Sequence, residues 1–493
     1  MSTTLAREIA RKATRITFDK LRPEATAKVK LVLLDYLSCV FESRDLGPSI
    51  QAIQLAARAR GDCPVIGTPV LAAAPEAAFA NAVLGHGLVR EDMHTGSVSH
   101  LGVVIFPVLL ALAEGRKATG RDFVAAAVCG YEVGAAVGRA VMDRDTVRRF
   151  RPTGITGPLG AAIAGARLGG LEESATASAL GFAANSTGGL NEWPGPGADD
   201  MFFHVGFAAR NAVTAVELAE LGAFASETSL DGAAGLFAAL GRLNRANEVA
   251  PFSGKQLEIL SVYHKPAPAC NYAQTACQVA RLIATEEGVK SRDIESVTVR
   301  ASAAALNYPG CNSTGPFDRV LQAKMSIQYC VAATLARGTI EEANYRLLSD
   351  PEVRRLIGIT TLVEDPRFTE AYPAQQGTEV TVVLRDGRSI VRRLEDLVPA
   401  TAEEVRSRFR QSSEEVLGHE ADDGHERVEP ERPLRELGLD SLTAMELRNR
   451  LRSAVGIPLP AALAFDQPTA TDVARFINDA ISHELSGAAR AAR

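Results

Sequence analysis

Over the first 250 positions apolar residues recur at spacings of three and four, in alanine-rich stretches punctuated by glycine at 123–140, 157–168, 173–184 and 208–221. That is the period of helices that bury one face. Residues 1–261 are therefore expected to form a large all-helical domain, and with no fixed-period repeat a solenoid is not expected. After about residue 262 the pattern changes. Residues 294–301 alternate as a strand does, and 379–384 and 389–393 flank Arg385-Asp386-Gly387-Arg388, where Asp-Gly between β-rich runs signals a hairpin. Helical text at 271–287 and 323–336 interrupts these strands, so 262–400 reads as a small α+β lid domain. Residues 401–417 contain no Gly or Pro and predict one short connecting helix. A charged loop at 421–433, a helix at 441–455, a proline-punctuated loop at 456–468 and a last helix from Thr469 complete a helical bundle over 401–488, with Thr469 as the cap. The fold class is mainly α.

Composition narrows the functional classes. With 493 residues, two to four domains are expected. Hydrophobic residues at 46% and charged residues at 23% fit a soluble globular chain. The longest uncharged apolar stretch, 101–113, falls short of the roughly 18–20 residues of a membrane span. The first residues read as a helix start and not as a signal peptide. Seven cysteines at irregular spacing argue for a reducing, cytoplasmic setting. A net charge of −6 gives no basic footprint, so nucleic acid is not an expected partner. Residues 401–493 hold 17 acidic and 12 basic side chains, and all seven cysteines and the single tryptophan precede residue 400, which marks a boundary there.

Within that last segment, Glu436-Leu437-Gly438-Leu439-Asp440-Ser441-Leu442 is followed by Leu459-Pro460-Ala461-Ala462-Leu463-Ala464-Phe465-Asp466-Gln467-Pro468-Thr469. Read as residues, Asp440-Ser441 caps a helix, and a serine there is exposed where the helix dipole and free N–H groups favour a phosphodiester. The two landmarks together resemble an acyl carrier protein of modular polyketide synthases. The resemblance implies a 4′-phosphopantetheine arm on Ser441, a phosphopantetheinyl transferase to attach it, and polyketide synthase components as partners.

Residues 1–400 contain no phosphate-cradling glycine loop, nucleophile elbow, HExxH or CxxC. Their informative feature is Gly85–His100, which holds His86, His94 and His100 together with Glu91 and Asp92. The spacing matches no common metal-ligand pattern, so no metal is expected. Glu91 reads as a solvated surface charge and Asp92 as a site residue. Cys270 and Cys277 read as buried filler, and Trp193 as a cleft wall or a loop plug.

Ordered matches along this part resemble the MmgE/PrpD family, which includes 2-methylcitrate dehydratase, cis-aconitate decarboxylase and iminodisuccinate epimerase. They are Leu33-Leu34-Asp35, Ala80-Asn81 with Gly85-His86-Gly87-Leu88, Ser97-Val98-Ser99-His100, Pro152-Thr153-Gly154, His204-Val205-Gly206-Phe207, Lys265-Pro266-Ala267-Pro268-Ala269-Cys270 and Ala323-Lys324-Met325-Ser326-Ile327-Gln328-Tyr329. The resemblance implies a homodimer, a site between helical domain and lid, and small polycarboxylate substrates handled without a metal or organic cofactor. It places His100 as an active-site histidine, Lys265 as a substrate-site lysine and Tyr329 as a lid tyrosine facing the pocket, and Asp92 keeps a family carboxylate. These four are the expected catalytic groups, and Arg151, Lys324, His94 and His204 are expected at the substrate. The family usually has Asp-Phe-Asp-Asp-Thr where this chain has Val89-Arg90-Glu91-Asp92-Met93, histidine at Arg151 and lysine at Met201. Val89, Met93 and Met201 are expected to line the path of a thioester-bound substrate. The implied function is a lyase of polyketide-type metabolism that dehydrates or decarboxylates a carboxylated acyl chain tethered to its own carrier domain. An isomerase or epimerase on the same substrate, or an inactive scaffold presenting the carrier, are the alternatives.

Overall fold

The structure is a computed structural model that describes residues 3–116, 118–254 and 256–417, then 447–448, 451, 459–460, 463–467, 469–477 and 479. The chain divides into two compact units, Met1–Ser412 and Ser413–Arg493.

The first unit is mostly helical. The expected stretches appear as Gly120–Val141, Pro152–Leu168, Glu173–Asn185 and Asp200–Glu220. Several begin upstream of the apolar periodicity because their start signals lie there. Thr119 and Asp122 form a capping box, and Pro152 opens its helix where a missing N–H removes no bond. Glycine then lets helices approach closely. A Cβ on Gly130 would lie 3.0 Å from the Gly160 carbonyl oxygen, and one on Gly160 would lie 2.6 Å from that of Gly130. Besides the uncharged stretch 101–113, the helix Gly120–Val141 is long and apolar enough to cross a membrane by length and composition. Here 94% of its apolar window is buried, and Glu132 within it accepts the Phe252 and Glu258 N–H groups at 2.8 and 2.7 Å. It is a core helix of this unit.

Beyond residue 262 a four-stranded sheet runs in the order Thr360–Glu364, Ile294–Ala301, Thr378–Leu384, Ser389–Leu394. The first pair is parallel and the other two antiparallel. The expected hairpin turns at Asp386-Gly387, with Gly387 at φ 85°. The helix expected over 323–336 is two, Val320–Met325 and Ile327–Arg337. They are split at Ser326, whose hydroxyl caps the second by accepting the Tyr329 N–H at 3.0 Å.

Two hydrophobic cores result. One fills the helical layer. The other joins the sheet to Phe79, Val83, Val89, Trp193, Met201 and Phe202 of that layer. The seam between the two layers is therefore dry and closely packed, which sets the dielectric of whatever polar groups lie in it.

Ala402–Leu417 is a single helix, as expected, and passes through the boundary between the units. In the second unit Leu463–Asp466 is helical. Thr469 caps helical residues 470–477 by accepting the Asp472 N–H at 3.2 Å. Ser441 and the loop at 421–433 lie outside the described residues.

The glycine contact carries a direct consequence. Gly160→Ala should destabilise the full chain by about 1–3 kcal/mol, the usual cost of overpacking, seen as a lower urea midpoint. Gly115→Ala, with nothing within 4 Å of its added Cβ, should leave the midpoint nearly unchanged.

Candidate active site

The Ala74–His86 helix delivers His86 to the seam, and the chain then turns sharply. Val89 adopts φ 59°, a left-handed conformation that a β-branched residue rarely takes. The turn exposes successive carbonyls at the helix C-terminus to two fully buried lysines. Lys324 donates to the Gly87 and Leu88 oxygens at 3.3 and 3.0 Å, and Lys265 donates to that of Val89. Cations at a helix C-terminus complement its dipole.

Past the turn, Glu91 is fully buried. Its Oε1 lies 2.5 Å from His86 Nδ1 and 3.1 Å from His100 Nδ1. Hydrogen-bonding partners fix both tautomers. Arg151, which can only donate, meets His86 Nε2 at 3.0 Å. That nitrogen must be an acceptor, so Nδ1 carries the proton and donates to Glu91. His100 Nδ1 also lies 3.0 Å from the Asp92 carbonyl oxygen, so it too is protonated there. The His100 Nε2 lone pair is left without a protein partner among the described residues. Its backbone is pinned by the Thr153 hydroxyl, which accepts the His100 N–H at 3.1 Å. Burial raises the Glu91 carboxyl, but His86, His100 and Lys265 outweigh it and hold the group well below the usual carboxylate range. Burial holds both histidines below theirs, so both are neutral at pH 7, and it likewise lowers Lys265.

Around this core lie polar atoms with no hydrogen-bond partner among the described residues: Glu91 Oε2, Arg151 Nε, Trp193 Nε1 and His204 Nδ1. The Arg151 guanidinium stands 5.7 Å from the Trp193 ring centroid and 3.9 Å from Met201 Sδ. Gly189 separates it from His204, a Cβ there meeting both at 3.1 and 3.3 Å. Burial and Arg151 hold His204 down at about 4. Buried orphan donors beside a guanidinium are what a carboxylate ligand would satisfy. No group of three His, Cys, Asp or Glu side chains able to hold a metal occurs among the described residues.

The expected residues divide. His100, Lys265, Arg151, Met201 and Val89 come together around Glu91, with His204 adjoining. Asp92 does not point to them. Its carboxylate accepts the Tyr131 hydroxyl at 2.9 Å and lies against Gly102, and only its backbone carbonyl serves His100. Glu91, expected on the surface, holds the position expected of Asp92. His94 uses both ring nitrogens on Ser97 and Glu258, at 2.9 and 3.1 Å. Met93 is buried in the short strand pairing with Tyr263. Lys324 is occupied by the helix carbonyls and by Glu342 at 2.8 Å.

Tyr329 is likewise engaged in the lid, donating to the Asn344 carbonyl at 3.0 Å and stacked on Tyr345. The tyrosine that senses Arg151 is Tyr308, which burial pushes up to about 12 and whose hydroxyl meets Asn191 at 3.4 Å. Cys270 is buried in the core, as expected. It touches Cys311 at 3.6 Å, and that contact, aided by Lys265 and Arg151, lowers its thiol. Glu91 had a sequence signal, a carboxylate set between two histidines. Tyr308 had none, because its place depends on a loop without periodic pattern.

Burial raises the Asp92 carboxyl to about 7, against about 3.9 unfolded. The folded chain keeps a proton that the unfolded chain releases. This contribution to stability is full below pH of about 4 and lost as pH rises through about 7. Asp92→Asn should therefore gain stability relative to the parent as pH rises across that window and level off above it. Urea midpoints at stepped pH check the sign.

Comparison with known proteins gives this geometry a context. Residues 7–248 match the MmgE/PrpD N-terminal domain, 267–430 the MmgE/PrpD C-terminal domain, and 407–477 the phosphopantetheine attachment site. The cis-aconitate decarboxylase-like protein oryM of Aspergillus oryzae is 26% identical over 458 residues, covering 84% of this chain and 91% of that protein. Human cis-aconitate decarboxylase is 27% identical over 361 residues, 69% of this chain and 73% of its own. At the carrier end, the spectinabilin polyketide synthase system protein NorB of Streptomyces orinoci is 52% identical over 65 residues, 13% of this chain and 3% of that protein. The chain belongs to the MmgE/PrpD family and carries, after its two MmgE/PrpD domains, a phosphopantetheine attachment domain.

Proposed function

We propose that the first unit is a lyase acting on a carboxylated acyl chain held as a thioester through Ser441, from which it removes carbon dioxide or water. The observation that carries this reading is the convergence of an unpartnered neutral base, His100 Nε2, with the orphaned donors Arg151 Nε and Trp193 Nε1 around buried, ionised Glu91. The cis-aconitate decarboxylases among the relatives and the polyketide synthase relatives of the carrier segment support the two halves of it. When attached, the pantetheine thiol would present the acyl chain as an activated thioester. Ser441 lies outside the described residues, so its assignment rests on the motif and the family match.

The chain's own groups divide the work. Arg151, Trp193 and His204 bind a substrate carboxylate. For loss of water, His100 Nε2 takes the α-proton, Glu91 stabilises the imidazolium that forms, and Lys265 protonates the departing hydroxyl. For loss of carbon dioxide, the C–C bond breaks and its electron pair, held as an enolate on the oxygen beside the α-carbon, takes a proton from Lys265. The dry seam strengthens each of these interactions. A homodimer in the cytoplasm, with no metal, completes the proposal.

An inactive scaffold would not need these groups to converge, and an isomerase would leave substrate mass unchanged. The deciding experiment loads Ser441 with carboxylated acyl-pantetheines and follows intact-protein mass. Loss of one carbon dioxide or one water supports the lyase. Unchanged mass with a shifted double bond or inverted centre favours the isomerase, and turnover of free di- or tricarboxylates as fast as tethered chains refutes tethering. Ser441→Ala should abolish pantetheine attachment by a transferase and coenzyme A. Glu91→Gln, which removes the charge that would stabilise the His100 imidazolium, should lower kcat by about 10²–10⁴-fold with a smaller change in KM, measured in the same tethered assay.

A further inference from the structure

Lys265 sits in a buried segment, 264–270, with no helix or strand of its own. Pro266 and Pro268 remove two backbone donors, and the buried carbonyls there still need partners. The C-terminal half is braced by one side chain. Gln274 Nε2 donates to the Ala267, Ala269 and Cys270 oxygens at 2.9, 2.9 and 3.3 Å. Its Oε1 accepts the Ala267 N–H at 2.9 Å.

The other half is held from a distant part of the chain. The Ala400 N–H donates to the His264 oxygen at 2.9 Å. Arg408 then donates through one terminal nitrogen to the Lys265 oxygen at 3.0 Å and through the other to that of Pro266 at 2.9 Å. Three consecutive carbonyls, centred on the lysine, are thus gripped by residues 400–408. Arg408 belongs to Ala402–Leu417, the helix that leads into the second unit. That helix is fixed in the first unit by a Thr401–Glu404 capping box, by fully buried Val405 and by Phe409, whose ring lies 6.2 Å from that of Phe41.

We propose that Arg408 is a positioning residue for Lys265, and that the linker helix to the carrier-bearing unit is thereby a working part of the active site. The proposal rests on the role of Lys265 given above. A planar guanidinium bridges two successive carbonyls with two donors of fixed spacing, which a lysine cannot do. With both carbonyls held, Lys265 is kept in the dry seam with its Nζ on the Val89 oxygen. Released, the segment would admit water and let the amine relax towards ordinary lysine behaviour. The charged and titratable groups that face Lys265 are Glu91, Cys270, Arg151, Lys324, His86 and His100, and those that face Arg408 are Arg90, Asp35, Cys39 and Glu404.

The test uses the full chain and needs no substrate. Competitive acetylation with acetic anhydride across neutral to alkaline pH, read by peptide mass with surface Lys12 as reference, gives the titration midpoint of Lys265. In Arg408→Leu the midpoint should rise by about one unit, a tenfold change in the fraction of free amine at a given pH. Arg408→Lys should give an intermediate rise. A fall in melting temperature with an unchanged Lys265 midpoint would mean a merely structural role and overturn the proposal. If Arg408→Leu does not fold, Arg408→Lys decides on the same criterion. The midpoint is independent of turnover. A shifted midpoint in a chain that fails every tethered-substrate assay would therefore uphold the positioning and refute the lyase reading.

Discussion

The structure turns on one buried charge. Glu91 is removed from water in a dry seam, where an unpaired carboxylate costs several kcal/mol. It stays ionised because His86 directs its Nδ1 hydrogen at it, and His100 and Lys265 lie close enough to act on it. Each of those partners is in turn constrained. Arg151 forces the His86 tautomer, the Asp92 carbonyl fixes that of His100, and the strained turn at Val89 presents the carbonyl that holds Lys265. Remove the charge and the reason for each of these placements goes with it. What the arrangement gains is a histidine that is neutral and oriented, with its Nε2 lone pair left free.

Much of the fold could be read from local pattern, because helices and hairpins are local. Small residues at helical spacing marked Gly120–Val141 and its neighbours, and Asp386-Gly387 marked the hairpin. The strand Thr360–Glu364 escaped because it is short and pairs in parallel with Ile294–Ala301, a contact between residues far apart in sequence. The candidate site was legible in part for the same reason. His100, Lys265 and Arg151 lie in segments whose motifs resemble the family's. The exchange between Glu91 and Asp92 could not be foreseen from spacing. Adjacent residues after a sharp turn face opposite ways, and only the turn at Val89 decides which carboxylate enters the seam.

The same logic explains Asp92 and Tyr131. A second carboxylate close to Glu91 cannot also be ionised cheaply, since like charges in a low dielectric raise one another. Burial raises Asp92 far enough that its carboxyl is about half protonated near neutrality, and Tyr131 supplies its hydrogen bond. Two neighbouring acids thus take opposite roles. One is a charge at the centre of the candidate site and the other a partly protonated prop beneath Gly102, where the backbone comes close enough that a Cβ would reach 2.4 Å from the carboxylate.

The departures at 151 and 201 are best understood as a pair. In the family pattern that the chain resembles, histidine stands at 151 and lysine at 201. Here Arg151 brings a fixed positive charge to within 3.9 Å of residue 201. A lysine at 201 would face it across about that gap, and two like charges at about 4 Å repel by about 4 kcal/mol at an effective dielectric of 20. Methionine removes the repulsion and fills the space with a soft, adaptable side chain. The cation has in effect moved from 201 to 151, where it fixes His86 through its terminal nitrogen and still offers an unpartnered Nε to a ligand.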